Sequence, residues 1–166
     1  FDFLTLTAQY NEKELEDALT KNITKFLLEL GQGFSYVGRQ IHLTVGKEDI
    51  FIDLLSYHLN LRCYVVIELK TGKFEAAHTG QLGLYVSAVN HQLKKEADNP
   101  TIGLIICKTK DNIVAQYSLE SNSQPIGISE YKFSKVLPKN FKNSLPSIKE
   151  IEAELKKHKT SKETKK

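Results

Sequence analysis

Three extended runs follow one another with only short polar joints between them, and this arrangement constrains the fold more than any other feature of the sequence. The runs are FSYVGRQIHLTV, DIFIDLLSY and LRCYVVIELK, and the joints lie at residues 46–48 and 58–60. β-branched and aromatic residues, which favour strands, are frequent in all three runs. Because joints this short connect antiparallel neighbours, the sequence predicts an antiparallel meander of three strands.

A helix is predicted on each side of this meander. Asn11 and Glu14 have the spacing of a capping box, and apolar residues recur at helical intervals from Leu15 to Leu30. A second helix follows the third strand and ends at the breaker formed by residues 98–100. Its apolar stripe consists of Leu82, Tyr85, Val86, Val89 and Leu93.

The remaining segments complete the predicted architecture. TIGLIICK has the pattern of a buried strand, and NIVAQYSL and PIGISEY are strand-like runs that extend the sheet. The predicted fold class is therefore α/β of the α+β type, an αβββαβ core with a mixed central sheet flanked by helices and with extra C-terminal strands. We expect one domain over residues 1–141 and a Lys-rich tail over 142–166, partly helical from Ser147 to His158 or disordered.

Charge and composition exclude several classes of protein. The chain has 166 residues, 40% of them hydrophobic, and 23 Lys and Arg against 20 Asp and Glu give a net charge of +3. Residues 142–166 contain eight Lys and four Glu, so they contribute +4 and residues 1–141 carry −1. A disordered chain and a strongly basic chromatin-type coating protein are therefore excluded.

Cysteine usage and the absence of long apolar stretches indicate a compartment. Cys63 and Cys107 lie in apolar runs, which is typical of buried hydrophobes and not of a disulfide framework. No stretch approaches the roughly 20 apolar residues that cross a bilayer. We expect a cytoplasmic protein without membrane contact. The chain also contains no Met, which indicates a piece of a longer protein that begins upstream.

Charged residues interrupt two of the apolar strands. Asp53 lies within IFIDLL, and Glu68 and Lys70 end the third strand on one side of the sheet. If the two strands pair, two acids and a Lys converge, and two carboxylates are hard oxygen ligands of the kind that Mg²⁺ accepts. Such a site suits phosphodiester hydrolysis. The alternative is a paired strand acid at Asp53 and an ordinary ion pair between Glu68 and Lys70.

Four further side chains are candidates for the same site. Glu16 falls on the apolar stripe of the first helix, where the alternative is a salt bridge at the edge of the stripe. Arg39 lies on the apolar face of the first strand and either contacts a phosphate or pairs structurally with Asp53 or Glu68. Gln81 and Tyr85 are four residues apart on one helix face, where the alternatives are a surface Gln and a core Tyr.

Taken together, these residues resemble the PD-(D/E)XK nuclease superfamily and its restriction-endonuclease-like fold. The matching elements are Glu16, Asp53, Glu68-Leu69-Lys70 and Gln81-x-x-x-Tyr85. The last element is similar to that of the RecB-type exonuclease branch, and residues 34–125 resemble the C-terminal nuclease domain of the YhcG family. The chain departs from the superfamily pattern before Asp53, where Ile52 replaces Pro.

The resemblance implies a Mg²⁺-dependent deoxyribonuclease, with Mn²⁺ able to substitute. Asp53, Glu68 and the backbone carbonyl of Leu69 would hold the metal, and Lys70 would position the attacking water. Glu16 would bind a second metal or its water shell, and Gln81 and Tyr85 would orient the site and the substrate strand.

Several partners and alternatives accompany this interpretation. The expected partners are DNA, including branched, nicked or foreign DNA, an upstream domain of the same protein, and a second copy where both strands of a duplex are cut. The principal alternative is a catalytically weak module of the same fold that binds nucleic acid or protein. Glycoside hydrolysis by paired carboxylates is a third hypothesis, but it leaves Lys70 without a role.

Overall fold

A computed structural model describes residues 11–131 of the chain. These residues contain four helices and five strands. They are α1 (Glu12–Lys21), α2 (Ile23–Leu30), β1 (Phe34–Val45), β2 (Glu48–His58), β3 (Cys63–Leu69), α3 (Ala77–Gln92), β4 (Ile102–Cys107), α4 (Asn112–Glu120) and β5 (Ile126–Glu130).

The strands form one mixed sheet in the order β1-β2-β3-β4-β5. β1, β2 and β3 pair antiparallel, as the short joints predicted, and β3, β4 and β5 pair parallel. Parallel neighbours need a crossover connection, which α3 supplies between β3 and β4 and α4 supplies between β4 and β5. The predicted mixed sheet with flanking helices is confirmed.

The first helical segment is divided in two. The side chain of Asn11 caps α1 by accepting a hydrogen bond from the backbone N–H of Glu14 at 2.8 Å. α1 then ends at Asn22, whose φ of −117° and ψ of 36° are not helical, and α2 begins at the next residue. The single helix predicted from Leu15 to Leu30 is therefore wrong at this one position.

The run NIVAQYSL is a helix and not the predicted strand. Asp111 caps it, because its carboxylate accepts hydrogen bonds from the backbone N–H groups of Ile113 and Val114 at 2.9 and 3.0 Å. Ala115 and Ser118 face the protein one turn apart, whereas Ile113, Val114 and Tyr117 are exposed. The β-branched residues favoured a strand, but the N-cap and the need for a crossover determine the outcome.

The sheet buries apolar side chains on both faces. One cluster packs beneath α3 and includes Ile52, Leu55, Val66 and Ile105, and the other packs beneath α1 and α2. α3 lies so close to β4 that a Cβ atom at Gly103 would come within 2.8 Å of the side chain of Leu82. This close contact fixes the position of α3 on the sheet, and with it the side chains that α3 carries.

Cys63 and Cys107 are buried and unpaired, as predicted for small hydrophobes. Within residues 11–131 no helix is long and apolar enough to cross a membrane. The predicted end of the domain at residue 141, the Lys-rich tail and its capped helix lie outside the described residues, so they stay predictions.

Candidate active site

Asp53 and Glu68 lie where β2 and β3 begin to separate. The paired register runs from His58 opposite Cys63 to Leu54 opposite Ile67. Asp53 and Glu68 occupy the next facing positions. The backbone N–H of Asp53 donates to Oε1 of Glu68 at 3.2 Å, and the backbone N–H of Leu69 donates to Oδ2 of Asp53 at 2.9 Å. Each carboxyl group is thereby held by the backbone of the facing strand.

The alternation of β2 breaks at Asp53. Ile52 and Leu55 pack in the same cluster beneath α3, while Leu54 packs in the cluster on the other face. Residues three apart in a regular strand point to opposite faces. The backbone therefore departs from regular strand geometry at Asp53. The Asp53 side chain is then not required to project from either face of the sheet.

Glu68 is an unusually buried acid. Its exposed fraction is 4%, and burial together with the neighbouring carboxylate of Asp53 raises its pKa to about 10. Since removing a carboxylate from water penalises its charged form, the position favours ionised Glu68 only when a positive charge is supplied nearby.

This pair of carboxyl groups fits a divalent cation. Among residues 11–131 no group of three His, Cys, Asp or Glu side chains is placed to hold a metal ion, so Asp53 and Glu68 alone would offer two side-chain ligands. Mg²⁺ is usually held by only one or two carboxylates and keeps several waters. The donor set suits such an ion, and the ion would supply the positive charge that ionised Glu68 requires.

Glu16 approaches this pair from α1. Its exposed fraction is 5%. Its Oε1 lies 3.1 Å from Nε of Arg39, and its Oε2 accepts a hydrogen bond from Nε2 of Gln40 at 2.6 Å. Burial raises the pKa of the Glu16 carboxyl. Glu16 is therefore a buried acid on the apolar stripe and also a partner in a salt bridge. Both predicted alternatives apply to it.

Gln40 joins Glu16 to Asp53, and sequence reasoning missed it. Its Nε2 also lies 3.3 Å from Oδ1 of Asp53, so one amide contacts carboxylates from two elements. Gln40 has a φ of +46°, a value uncommon for a residue with a Cβ atom. The sequence predicts neither these two contacts nor the positive φ, because alternation alone assigns a polar residue in a strand to the solvent side.

Arg39 does not pair with Asp53 or Glu68, which was the predicted structural alternative. Its guanidinium instead contacts Asp17 at 2.7 Å and Glu16 at 3.1 Å, so it ties β1 to α1. It also lines a cavity of about 340 Å³. The other lining residues are Glu12, Lys13, Glu16, Gln40 and Asp53.

The remaining candidates form a second group on β3 and α3. Nζ of Lys70 lies 3.4 Å from Oε1 of Gln81, and Nε2 of Gln81 donates to the hydroxyl of Tyr85 at 3.1 Å. Burial raises the pKa of the Tyr85 hydroxyl, with smaller contributions from Glu68 and Asp53. The charges of Asp53 and Glu68 therefore act on the group formed by Lys70, Gln81 and Tyr85.

His78 lies near the same group. Its Nδ1 accepts a hydrogen bond from the backbone N–H of Glu75 at 3.0 Å. Burial lowers its pKa, and the charge of Lys70 lowers it further. The lowered pKa disfavours a second cation beside Lys70.

The sequence matches a known family of nuclease domains over most of its length. The family model of the YhcG PDDEXK nuclease domain matches residues 1–146. The YhcG protein of Escherichia coli strain K12 is 37% identical over 131 residues, which is 79% of this chain. The match covers 35% of the length of that relative.

Two solved structures share the fold. A repair endonuclease from Pyrococcus abyssi superposes with a TM-score of 0.52 over 77% of this chain and 50% of its own, at 15% identity. EndoMS in a complex with dsDNA superposes with a TM-score of 0.55 over 80% of this chain and 48% of its own, at 19% identity. These similarities place the chain among proteins with the restriction-endonuclease-like fold.

Proposed function

Because the chain belongs to the YhcG PDDEXK nuclease domain family, we propose that it hydrolyses phosphodiester bonds of DNA with a divalent cation as cofactor. The observation that carries the proposal is the contact between Asp53 and Glu68 at the point where β2 and β3 separate. Lys70 follows two residues later on the same strand end. Two acids in contact and a Lys two residues away on the same strand end suit phosphodiester hydrolysis.

Asp53, Glu68 and the backbone carbonyl of Leu69 would hold the cation, which we expect to be Mg²⁺ or Mn²⁺. Glu16 would serve a second cation or the water shell. When bound, the cation offsets charge on phosphate oxygens and lowers the pKa of its water. The burial of Glu68 and the hydrogen bonds on Asp53 hold both carboxylates in place before the cation arrives.

Lys70 has the role of orienting the attacking water. Its Nζ is held by Oε1 of Gln81, and Gln81 is in turn held by the hydroxyl of Tyr85. These two hydrogen bonds restrict the rotamers of the Lys70 side chain. A restricted ammonium group positions a nucleophile more effectively than a mobile one. Gln81 and Tyr85 would also contact the substrate strand.

The cavity beside Asp53 would accept a phosphate group only together with a cation, because Glu12, Glu16 and Asp53 outnumber Lys13 and Arg39 in its lining. The guanidinium of Arg39, which is bonded to Asp17 and Glu16, would then turn toward the phosphate. Arg binds phosphate through its planar set of donors. DNA is the substrate we favour, because EndoMS, which shares the fold, was solved with dsDNA.

Assembly is part of the proposal. One site per chain cuts one strand, so cleavage of both strands of a duplex needs a second copy or a partner. The chain matches only 35% of the length of the YhcG relative, so we propose that a further domain of the complete protein selects the DNA.

A cleavage assay tests this function. The substrates are linear, nicked, single-stranded and branched DNA, with an RNA of the same sequence, each in Mg²⁺, Mn²⁺ or EDTA. We expect Asp53→Ala and Lys70→Ala to abolish cleavage and EDTA to stop the wild-type chain. The matched controls are Asp49→Ala, at the exposed β1–β2 hairpin, and Lys95→Ala, after the far end of α3.

Each outcome of the assay is informative. Equal cleavage by the wild type, Asp53→Ala and Lys70→Ala would contradict the proposed site. Binding of DNA without cleavage under every condition would favour the module that binds but does not cut. Cleavage of the RNA but of none of the DNA substrates would contradict DNA as the substrate and indicate RNA.

A further inference from the structure

Gln40 occupies the space between two carboxylates that come from different elements. Nε2 of its side chain lies 2.6 Å from Oε2 of Glu16, on α1, and 3.3 Å from Oδ1 of Asp53, on β2. An amide nitrogen carries two hydrogens, and here each of them faces one carboxylate. Gln40 is therefore the hydrogen-bonded link between the helix and the strand.

The backbone at Gln40 is strained. Its φ of +46° lies in the left-handed region, which a residue with a Cβ atom adopts only at an energetic cost. In the register of β1 and β2, Gln40 falls opposite Asp53, between the pairs Arg39–Leu54 and Ile41–Ile52. The distortion of β1 and the broken alternation of β2 thus occur at the same place. Strain of this kind is concentrated at functional sites.

Glu16 and Asp53 repel each other unless something lies between them. Both carboxylates lie within hydrogen-bonding distance of the same nitrogen of Gln40, so the amide lies between them. Arg39 holds the other oxygen of Glu16 and is itself bonded to Asp17, on the same helix. Without the amide of Gln40, the remaining side-chain contact described for Glu16 is this ion pair, which does not include Asp53.

We propose that Gln40 is a positioning residue that keeps Glu16 beside Asp53, so that both carboxylates can serve the same group of cations. This inference rests on the proposed function and names a residue that the function did not include. Gln40 acts through Glu16 and does not itself take part in the reaction. Its neutral amide can hold two acids together without competing as a permanent cation.

Two substitutions separate the side chain from the backbone. Gln40→Gly removes the amide and suits the positive φ, so it deletes the link without adding strain. Gln40→Met keeps the length of the side chain and removes both donors. The matched control is Gln92→Met, because Gln92 donates a single hydrogen bond to the carbonyl of Thr44 outside the site.

The first readout is Mn²⁺ binding by calorimetry to the folded wild-type chain and its variants. We expect Gln40→Gly and Gln40→Met to weaken the Mn²⁺ affinity that depends on Glu16 by about tenfold or more, the usual effect of losing a residue that orients a ligand. We expect Gln92→Met to bind as the wild type does. The unfolding temperature of Gln40→Gly should equal or exceed that of Gln40→Met.

The second readout is a double-mutant cycle with Glu16→Gln. If Gln40 acts through Glu16, Gln40→Met changes the Mn²⁺ affinity of the Glu16→Gln chain by less than about twofold. An equal loss in both backgrounds would overturn the inference, because Gln40 would then act independently of Glu16. Wild-type affinity in both Gln40 variants would overturn it as well.

Cleavage kinetics distinguish this inference from the proposed function. We expect the Gln40 variants to lose kcat at limiting Mn²⁺ with little change in KM for DNA, and to recover kcat when Mn²⁺ is raised. If the wild type neither binds Mn²⁺ nor cuts DNA, the proposed function fails and this inference fails with it. If the wild type does both and the Gln40 variants match it, only the role of Gln40 is contradicted.

Discussion

The backbone N–H of Asp53 donates a hydrogen bond to Oε1 of Glu68 at 3.2 Å, one position beyond the last paired residues of β2 and β3. The side chain of Glu68 therefore accepts a hydrogen bond from β2 at the position where the regular backbone pairing of β2 and β3 has ended. The carboxylate of Asp53 returns the contact by accepting from the N–H of Leu69. Two acids are thereby fixed in contact at the centre of the sheet.

Such an arrangement is costly to the fold, and Glu68→Gln should reveal the cost. Gln keeps the acceptor for the N–H of Asp53 and removes an acid that is 4% exposed and has a pKa of about 10. In EDTA we expect the variant to unfold at the wild-type temperature or about 2–4 °C higher, the shift that roughly 1 kcal/mol produces in a chain of this size. A marked fall in the unfolding temperature would contradict this account of Glu68.

A bound cation should stabilise the folded chain through the same acids. A ligand present at about 100 times its Kd adds about 2.7 kcal/mol to the free energy of unfolding. We therefore expect Mg²⁺ or Mn²⁺ to raise the unfolding temperature of the wild type in a thermal melt. Asp53→Asn should abolish the shift and Asp49→Asn should keep it. A shift of equal size in Asp53→Asn would place the cation elsewhere.

Lys70→Met should separate catalysis from cation binding. The substitution removes the ammonium that faces Oε1 of Gln81 and leaves both acids in place. We expect kcat to fall by about 100-fold or more, the usual effect of a misplaced nucleophile, while the cation-induced thermal shift persists. Single-turnover cleavage measures the first quantity. Loss of the thermal shift together with activity would make Lys70 a structural residue.

Tyr85→Phe should have a smaller effect than Lys70→Met. The ring of Tyr85 is buried and its hydroxyl accepts from Nε2 of Gln81, so Phe retains the packing and releases only Gln81. Because Tyr85 acts on Lys70 through an intermediate, we expect kcat to fall by about tenfold. In a Lys70→Met background the same change should have almost no effect, and an undiminished effect there would contradict the chain of contacts.

The stability of α4 should depend on pH through Asp111. Backbone hydrogen bonds from Val114 and Ile113 lower the pKa of its carboxyl below the ordinary value of 3.8. A lowered folded pKa adds stability above the unfolded pKa, and this stability is lost as the pH falls through the folded pKa.

Asp111→Ala should therefore unfold at a lower temperature than the wild type near neutral pH, and the difference should shrink in strong acid, where the protonated side chain is a weaker acceptor. Asp111→Asn is the control, because it keeps a capping oxygen that does not titrate. Thermal melts recorded as a function of pH provide the measurement. A difference between wild type and Asp111→Ala that is constant down to about pH 2 would contradict this origin of the helix.

Much of the fold could be predicted because local signals and connections agree. The joint at Gly46 admits only an antiparallel hairpin, and the buried stripe that contains Leu82 and Val86 has a helical period. α4 was mistaken for a strand because Ile113 and Val114 favour strands, whereas its helix follows from the cap at Asp111 and the parallel pairing of β4 with β5. Local composition does not contain that pairing.

The candidate site was predictable to the extent that its acids interrupt apolar patterns. Asp53 and Glu16 are conspicuous because charge is rare at such positions. Gln40 is not, since its role depends on a positive φ and on three elements that meet in space. The partners of Arg39 were mistaken for a related reason, because the distance from β1 to α1 has no signature in the sequence.

The most direct measurement of the central claim is the rate of DNA cleavage by the wild type and Glu68→Gln over a range of Mg²⁺ concentrations. Glu120→Gln, on the exposed side of α4, is the matched control. The account predicts Mg²⁺-dependent cleavage by the wild type and Glu120→Gln, and a rate at least about 100-fold lower for a folded Glu68→Gln. Wild-type cleavage by Glu68→Gln, or cleavage that persists in EDTA, would contradict it.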